Sequence, residues 1–232
     1  MDKTKNNYII VTIRSWNIQR AHELISNNPR LNIDLITDKK ELTFNRLKNL
    51  NPRFVFFPHW SWIIPRKIFE NFECVVFHMT DLPFGRGGSP LQNLIERGIY
   101  ETKISALKVV KDLDAGPIYF KRDLTLEGSA TEIFCRASDI IFHEMIPEII
   151  KNEPELTPQK GKTTIFKRRI PEQSNISNLT TSTKVYDYIR MLDAEGYPPA
   201  FVETSNLKIE FSKGKLNNGY VLAQAKIKVK NE

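Results

Sequence analysis

Residues 8–13 read YIIVTI, a nearly unbroken apolar and β-rich run of strand length. Such a run suits a strand covered on both faces, as in a parallel sheet, better than one with a wet face. Outward from it, residues 17–26 carry a helical pattern that stops at Asn27-Asn28-Pro29. Asn32 to Thr37 reads as a second strand, 40–49 as a second helix, and Phe54-Val55-Phe56-Phe57 as a third strand. Two more apolar runs follow, Cys74-Val75-Val76-Phe77 and Ile104 to Val110. Strand alternating with helix predicts an α/β fold built on a Rossmann-like, mostly parallel sheet.

The 232 residues, 41% hydrophobic, allow one main core and a small appendage. No apolar run approaches the roughly 20 residues of a membrane helix, so no membrane partner is expected. The polar start, Met1-Asp2-Lys3-Thr4-Lys5-Asn6-Asn7, has no secretory apolar segment, which predicts a cytoplasmic protein. Cys74 and Cys135 lie among apolar neighbours without CxxC spacing and read as reduced. His22, His59, His78 and His143 lack a zincin-type pairing with carboxylates, so no metal is expected. The net charge of +7 suits a polyanion, either nucleic acid or a nucleotide diphosphate, and serves solubility equally well. Repeated aromatic-basic units of a single-strand binding surface are missing.

In SPLQNLIERG, residues 89–98, Ser89 reads as an N-cap, Pro90 as the first helical residue, Gln92 as the partner in a capping box, and Gly98 as the stop. Arg86-Gly87-Gly88 then precedes a helix N-terminus, where backbone N–H groups favour anions. A second capped helix starts at Ser129 with Glu132. Residues 1–150 form the predicted main domain. The stretch 151–184, rich in Lys, Thr, Pro, Ser and Asn, reads as a linker, and 185–232 as a small C-terminal subdomain of a helix and a β-hairpin. In that hairpin Leu207, Ile209 and Phe211, then Val221, Ala223, Ala225, Ile227 and Val229, alternate with mostly polar residues across Asn218-Gly219. Its apolar face needs a cover, either the main domain or a second copy, so a homodimer is expected.

His78 follows Val75-Val76-Phe77 and so lies at the C-terminal end of a predicted buried strand, the edge where open α/β sheets bind ligands. Asp114 stands in Leu113-Asp114-Ala115-Gly116-Pro117, after the strand 104–110. Alone, the histidine could be structural and the aspartate an Asx-turn residue. Together, at two neighbouring strand ends, they make an acid/base group with an orienting carboxylate.

His78-Met79-Thr80-Asp81-Leu82-Pro83, Arg86-Gly87-Gly88-Ser89-Pro90 and Leu113-Asp114-Ala115-Gly116-Pro117, in this order, resemble the folate-dependent formyltransferases. The similarity is good over residues 54–150, loose before them, and returns at IRMLDAEGYPPAF, residues 189–201. It implies transfer of a formyl group from 10-formyltetrahydrofolate to an amine. His78 and Asp114 match two of the family's Asn-His-Asp set, whereas the Asn position, two before the histidine, holds Val76. Valine cannot donate to an oxyanion, an interaction worth about 2.7–4 kcal/mol. His59 is the expected substitute donor. PHWSWIIP, residues 58–65, is similar to the folate slot, with Trp62, Ile63 and Ile64 at matching positions. Pro83 and the loop Lys111-Asp112-Leu113 would complete its walls, and Arg86, Gly87 and Gly88 would meet the acceptor substrate.

The short C-terminal region argues against tRNA, hence against a nucleic-acid partner. Thr12-Ile13-Arg14-Ser15-Trp16-Asn17, with no glycine, argues against glycinamide ribonucleotide. An amino-deoxy sugar on UDP or dTDP remains as the expected acceptor. The alternatives are an aminoacyl-tRNA or aminoacyl-carrier formyltransferase, a catalytically silent folate- or nucleotide-binding module, and a Rossmann-like domain with coincidental motifs.

Overall fold

The computed structural model describes residues 7–230. Most of the polar start, on which the cytoplasmic expectation rests, lies outside the described residues. The chain opens with β1 (Asn7–Val11), α1 (Ser15–Asn27) and β2 (Asn32–Ile36), followed by α2 (Phe44–Leu50), β3 (Phe54–Phe57), α3 (Arg66–Phe69) and β4 (Cys74–His78). Strand β1 pairs in parallel with β2 and β3, and β3 with β4. Ile9, Ile10, Val11 and all four residues of β3 are buried, as their unbroken apolarity requires. The helix expected at 40–49 is broken in two. Asp38 caps a 3-10 turn at Lys39–Glu41, and the Thr43 hydroxyl then accepts from the Arg46 N–H to start α2.

Next come β5 (Arg86–Gly87), α4 (Pro90–Glu96), β6 (Glu101–Lys108) and β7 (Ile118–Thr125). The main sheet has the order β2-β1-β3-β4-β6-β7. Its parallel part ends at β4, because β6 runs antiparallel to it, setting Ser105 opposite His78. The mostly parallel α/β sheet predicted from the strand–helix alternation is therefore present. Strand β7 escapes sequence reading, since Lys121-Arg122-Asp123 interrupts its apolar pattern.

Helix α5 (Ala130–Ile140) passes through a π turn at Ile141–Met145 into α6 (Ile146–Asn152). The Ser129/Glu132 capping box forms: the Ser129 N–H donates to the Glu132 carboxylate at 2.7 Å, and the Glu132 N–H to the Ser129 hydroxyl at 3.3 Å. The box expected at Ser89 does not. Ser89 has φ 51, its hydroxyl accepts from the Arg169 N–H, and Gln92 donates to the Met191 carbonyl. Tertiary partners have claimed both side chains.

The chain folds as two compact units, both discontinuous in sequence. One comprises the chain up to Arg86 with 103–124 and 135–165; the other comprises 87–102, 125–134 and the chain from Phe166 onward. This differs from boundaries at 150 and 184. The first part of the supposed linker belongs with the main sheet. Thr157 exchanges backbone hydrogen bonds with Ile118, and the Thr164 carbonyl accepts from the Gly85 and Arg86 N–H groups. Strand β8 (Ile165–Phe166) pairs with β5.

The second unit contains α7 (Ser182–Arg190) and an antiparallel sheet of β9 (Ala200–Glu203), β10 (Leu207–Asn217) and β11 (Tyr220–Val229). The Asn218-Gly219 turn falls where the sequence pattern sets it, with Gly219 at φ 84. Asp187 and Arg190 are buried and paired. Tyr100 also donates to Asp187, and the Leu126 and Gly128 carbonyls accept from Arg190 Nη1. A buried charge pair is tolerated when its other hydrogen-bonding groups are also satisfied. Among the described residues, no helix is long and apolar enough to cross a membrane.

One carboxylate ties strands of the first unit together. Glu73 accepts from Arg53 at 2.8 Å and from the Tyr119 hydroxyl at 2.7 Å, with Lys108 at 3.9 Å. Burial alone would raise its pKa, but the Tyr119 and Arg53 hydrogen bonds and the two cations hold it below the ordinary 4.5. A depressed carboxylate stabilises the fold above its unfolded pKa, and that contribution is lost as pH falls through the folded value. Glu73→Gln is therefore expected to be less stable than wild type at pH 7 by about 1–3 kcal/mol. The gap should close below pH 4.5, as urea unfolding at a series of pH values would show. A gap independent of pH would contradict this assignment.

Candidate active site

Strand β4 ends on His78, buried against the loop that follows. The His78 Nε2 lies 2.7 Å from the Gly85 carbonyl, which can only accept, so Nε2 carries a proton and donates. The other nitrogen, Nδ1, is 3.6 Å from the Asp114 carboxylate. Both side chains are nearly buried, at 9% and 12% exposure. In the neutral ring Nδ1 is the basic nitrogen, and a proton taken there meets a carboxylate immediately. This pair can accept and hold a proton.

Local structure explains why the two meet. Ser105 on β6 donates to the Thr80 carbonyl at 2.8 Å, while Thr80 donates to the Gly85 carbonyl, so the loop after His78 is folded back on its strand. Asp114 adopts φ 51, rare for a side chain other than glycine, at the tip of the turn after β6. Gly116 is required there: a Cβ would run into the Lys108 carbonyl.

His59 follows the end of the neighbouring strand. Strand β3 ends at Phe57, His59 turns out at φ 53, and its ring meets the edge of Trp16 at 5.8 Å. Burial first, and the Arg14 charge second, push its pKa down to about 3, so it is neutral at physiological pH. Its ring contact is with Trp16 on α1, while parallel pairing of Phe57 with Val76 brings the ends of β3 and β4, and so the positions of His59 and His78, to the same edge of the sheet. In the same region the buried Thr12 hydroxyl and Asn17 amide both donate to the Pro58 carbonyl, at 3.0 and 3.2 Å. In the sequence that segment stands out only for its missing glycines. Val76 is apolar in its surroundings too, packed against Leu82, Leu107 and Ile118.

A solved structure described as methionyl-tRNA formyltransferase from Clostridium thermocellum is 57% identical to this chain, with a TM-score of 0.94, and the match covers 96% of this chain and 99% of that one. The chain belongs to the formyltransferase family. Residues 171–228 match the family model described as the methionyl-tRNA formyltransferase C-terminal domain. Methionyl-tRNA formyltransferase of Campylobacter lari is 24% identical over 185 residues, 78% of this chain and 60% of the relative. The chain thus spans about 60% of the length of the curated relatives it matches. A sugar N-formyltransferase from Shewanella sp. shares the fold, at 14% identity and a TM-score of 0.65, over 94% of this chain and 96% of that one.

In this member of the family the segment after β3 is aromatic. Trp60 stacks edge-on to Trp62 at 4.8 Å and to Phe57 at 5.9 Å. Trp62 and Ile63 are exposed, Ile63 to 76%. Ile64 is not part of any open wall: at 6% exposure it belongs to the core with Ile9, Val11 and Phe57. Lys111, Asp112 and Leu113 are all exposed, and Leu113 at 59% is a second large apolar group facing solvent. Pro83 is buried, its carbonyl accepting from the Thr164 N–H, so the returning segment covers it.

Residues 86–88, expected to meet the acceptor, make contacts within the chain. Helix α4 has only seven residues. The Arg86 guanidinium is engaged by the Gln159 side chain. Gly87 and Gly88 are glycines because a Cβ would strike the Phe166 carbonyl at the first and Arg168, at 2.6 Å, at the second. Close chain approach accounts for both glycines. Gln159 itself escapes sequence reading, since it lies in a stretch whose composition reads as linker.

Proposed function

We propose that this chain transfers a formyl group from 10-formyltetrahydrofolate to a primary amine. The reading is carried by the His78 ring, gripped at Nε2 by a carbonyl and faced at Nδ1 by Asp114, in a member of the formyltransferase family. The amine nitrogen attacks the formyl carbon. The tetrahedral adduct collapses, the bond to folate N10 breaks, and the proton lost by the amine ends on that nitrogen. His78 holds the proton between these events, with Asp114 matching the charge it creates. Trp62, Ile63 and Leu113 offer exposed apolar surface for the pterin. The buried Trp60 indole N–H, which has no hydrogen-bond partner among the described residues, is a donor that a polar heterocycle could satisfy.

For the acceptor, the names of the relatives favour methionyl-tRNA over an amino-deoxy sugar nucleotide, and the net charge of +7 suits a polyanion. This reverses the expectation of no nucleic-acid partner. The sugar nucleotide is kept as a second reading because the sugar enzyme's chain is matched over 96% of its length. A cytoplasmic setting and a homodimer with the hairpin's apolar face covered belong to the same proposal.

Incubation with 10-formyltetrahydrofolate and either methionyl-tRNA or a panel of amino-sugar nucleotides, scored by release of tetrahydrofolate, tests it. Turnover with methionyl-tRNA is expected. Turnover with a sugar alone would move the acceptor, and no turnover with any amine would leave only a binding module. Separately, 5-formyltetrahydrofolate should perturb tryptophan fluorescence saturably, and Trp62→Ala should weaken that binding by roughly 10-fold, the effect of about 1.4 kcal/mol. Identical binding by the variant would remove Trp62 from the slot.

A further inference from the structure

We propose that Gln159 is a positioning residue that sets His78 and Asp114 in register, a role that rests on the formyl-transfer reading above. Its side-chain amide is saturated. The Nε2 group donates to the Asp114 and Gly116 carbonyls, both at 2.8 Å, and Oε1 accepts from Arg86 Nε at 3.1 Å and Nη2 at 2.7 Å. Two donors and two acceptor lone pairs are all that a glutamine has.

Those partners close a ring around the imidazole. Arg86 follows Gly85, whose carbonyl holds His78 Nε2. Asp114, whose carbonyl Gln159 grips, faces His78 Nδ1 with its carboxylate. Positive φ at Asp114 is a sparsely populated state that persists only where surroundings fix it, and the two captured carbonyls flanking Ala115 do so. Gln159 is in turn delivered by backbone pairing of Thr157 with Ile118 on one side and of Thr164 with Gly85 and Arg86 on the other. The amide thus couples the two loops that hold opposite nitrogens of one ring. Glutamate could accept from Arg86 but could not donate to the turn carbonyls, and methionine could do neither.

Three measurements on the full chain test this, using Gln159→Met and Gln159→Glu. Ring 15N signals of His78, assigned by their loss in His78→Ala, read the tautomer without any substrate. In wild type they should report a protonated Nε2; in both variants they should move towards a tautomeric average. Turnover should fall roughly 10-fold or more with little change in KM for the formyl donor, the pattern expected when stabilisation specific to the transition state is removed. The melting temperature should stay within about 5 °C of wild type. Unmoved His78 signals in either variant would overturn the assignment even if the wild type proved inactive. So would moved signals accompanied by a larger melting shift, which would mean a general structural role. Moved signals in a wild type without formyl transfer would keep the coupling and discard only the proposed function.

Discussion

His78→Ala is expected to lower formyl transfer by about 10²–10⁴, the usual contribution of a positioned acid/base group. The imidazole is the titratable group whose basic nitrogen, Nδ1, faces the Asp114 carboxylate in the site. Removing it leaves the Asp114 carboxylate with no ring to orient. It also leaves the Gly85 carbonyl without its 2.7 Å donor, which costs stability by about 1–3 kcal/mol. Turnover and urea unfolding therefore have to be read together. The activity loss should persist at temperatures where circular dichroism shows both proteins fully folded. Asp114→Ala should follow with a loss of the same order. A His78→Ala protein that formylates at near-normal rate the amine used by wild type would end the catalytic assignment.

Val76→Asn is expected to move rate and stability in opposite directions. Val76 lies two residues before His78 on β4, where relatives are expected to carry the asparagine that donates to the developing oxyanion. A gained donor of that kind is worth about 10²–10³ in kcat. The valine now packs against Leu82, Leu107 and Ile118, so an amide placed there weakens that apolar packing and brings polar atoms into an apolar setting. A stability loss of about 1–3 kcal/mol should accompany the gain. Single-turnover rates and urea midpoints on the same preparation measure both. Unchanged rate with lowered stability would show that this position does not reach the reacting carbonyl. Activity that appears only in the variant would identify the wild type as a silent binding module.

Burial written as pattern is legible before any coordinates. The unbroken runs at 8–11, 54–57 and 74–77 declare strands covered on both faces, and the Asn218-Gly219 pair declares a hairpin. His78 is also readable because it ends an apolar run, and Asp114 because it stands in the Leu113-Asp114-Ala115-Gly116-Pro117 motif. Strand β6 runs antiparallel to β4, and it is the turn after β6, not a shared strand edge, that brings the two together. Features decided by distant partners are not readable. Ser89 and Gln92 look like a capping box locally, yet Arg169 and Met191 outbid the local pattern. Ile64 looks like slot lining beside Trp62, but its side chain turns into the core. Gln159 has no local signal at all, since its four hydrogen bonds reach residues at least 43 positions away.

That separation governs when the site can come into being. His78, Gly85 and Asp114 are all made before Gln159, but the amide that ties their loops arrives only with the 157–164 segment. Long-range closures of this kind tend to be completed late, after local elements have formed. On an emerging nascent chain, the sheet could pair long before the two loops are fixed around the imidazole. A fragment cut at 150, the boundary that composition suggests, would then carry every residue of the acid/base pair and lack the piece that locks it.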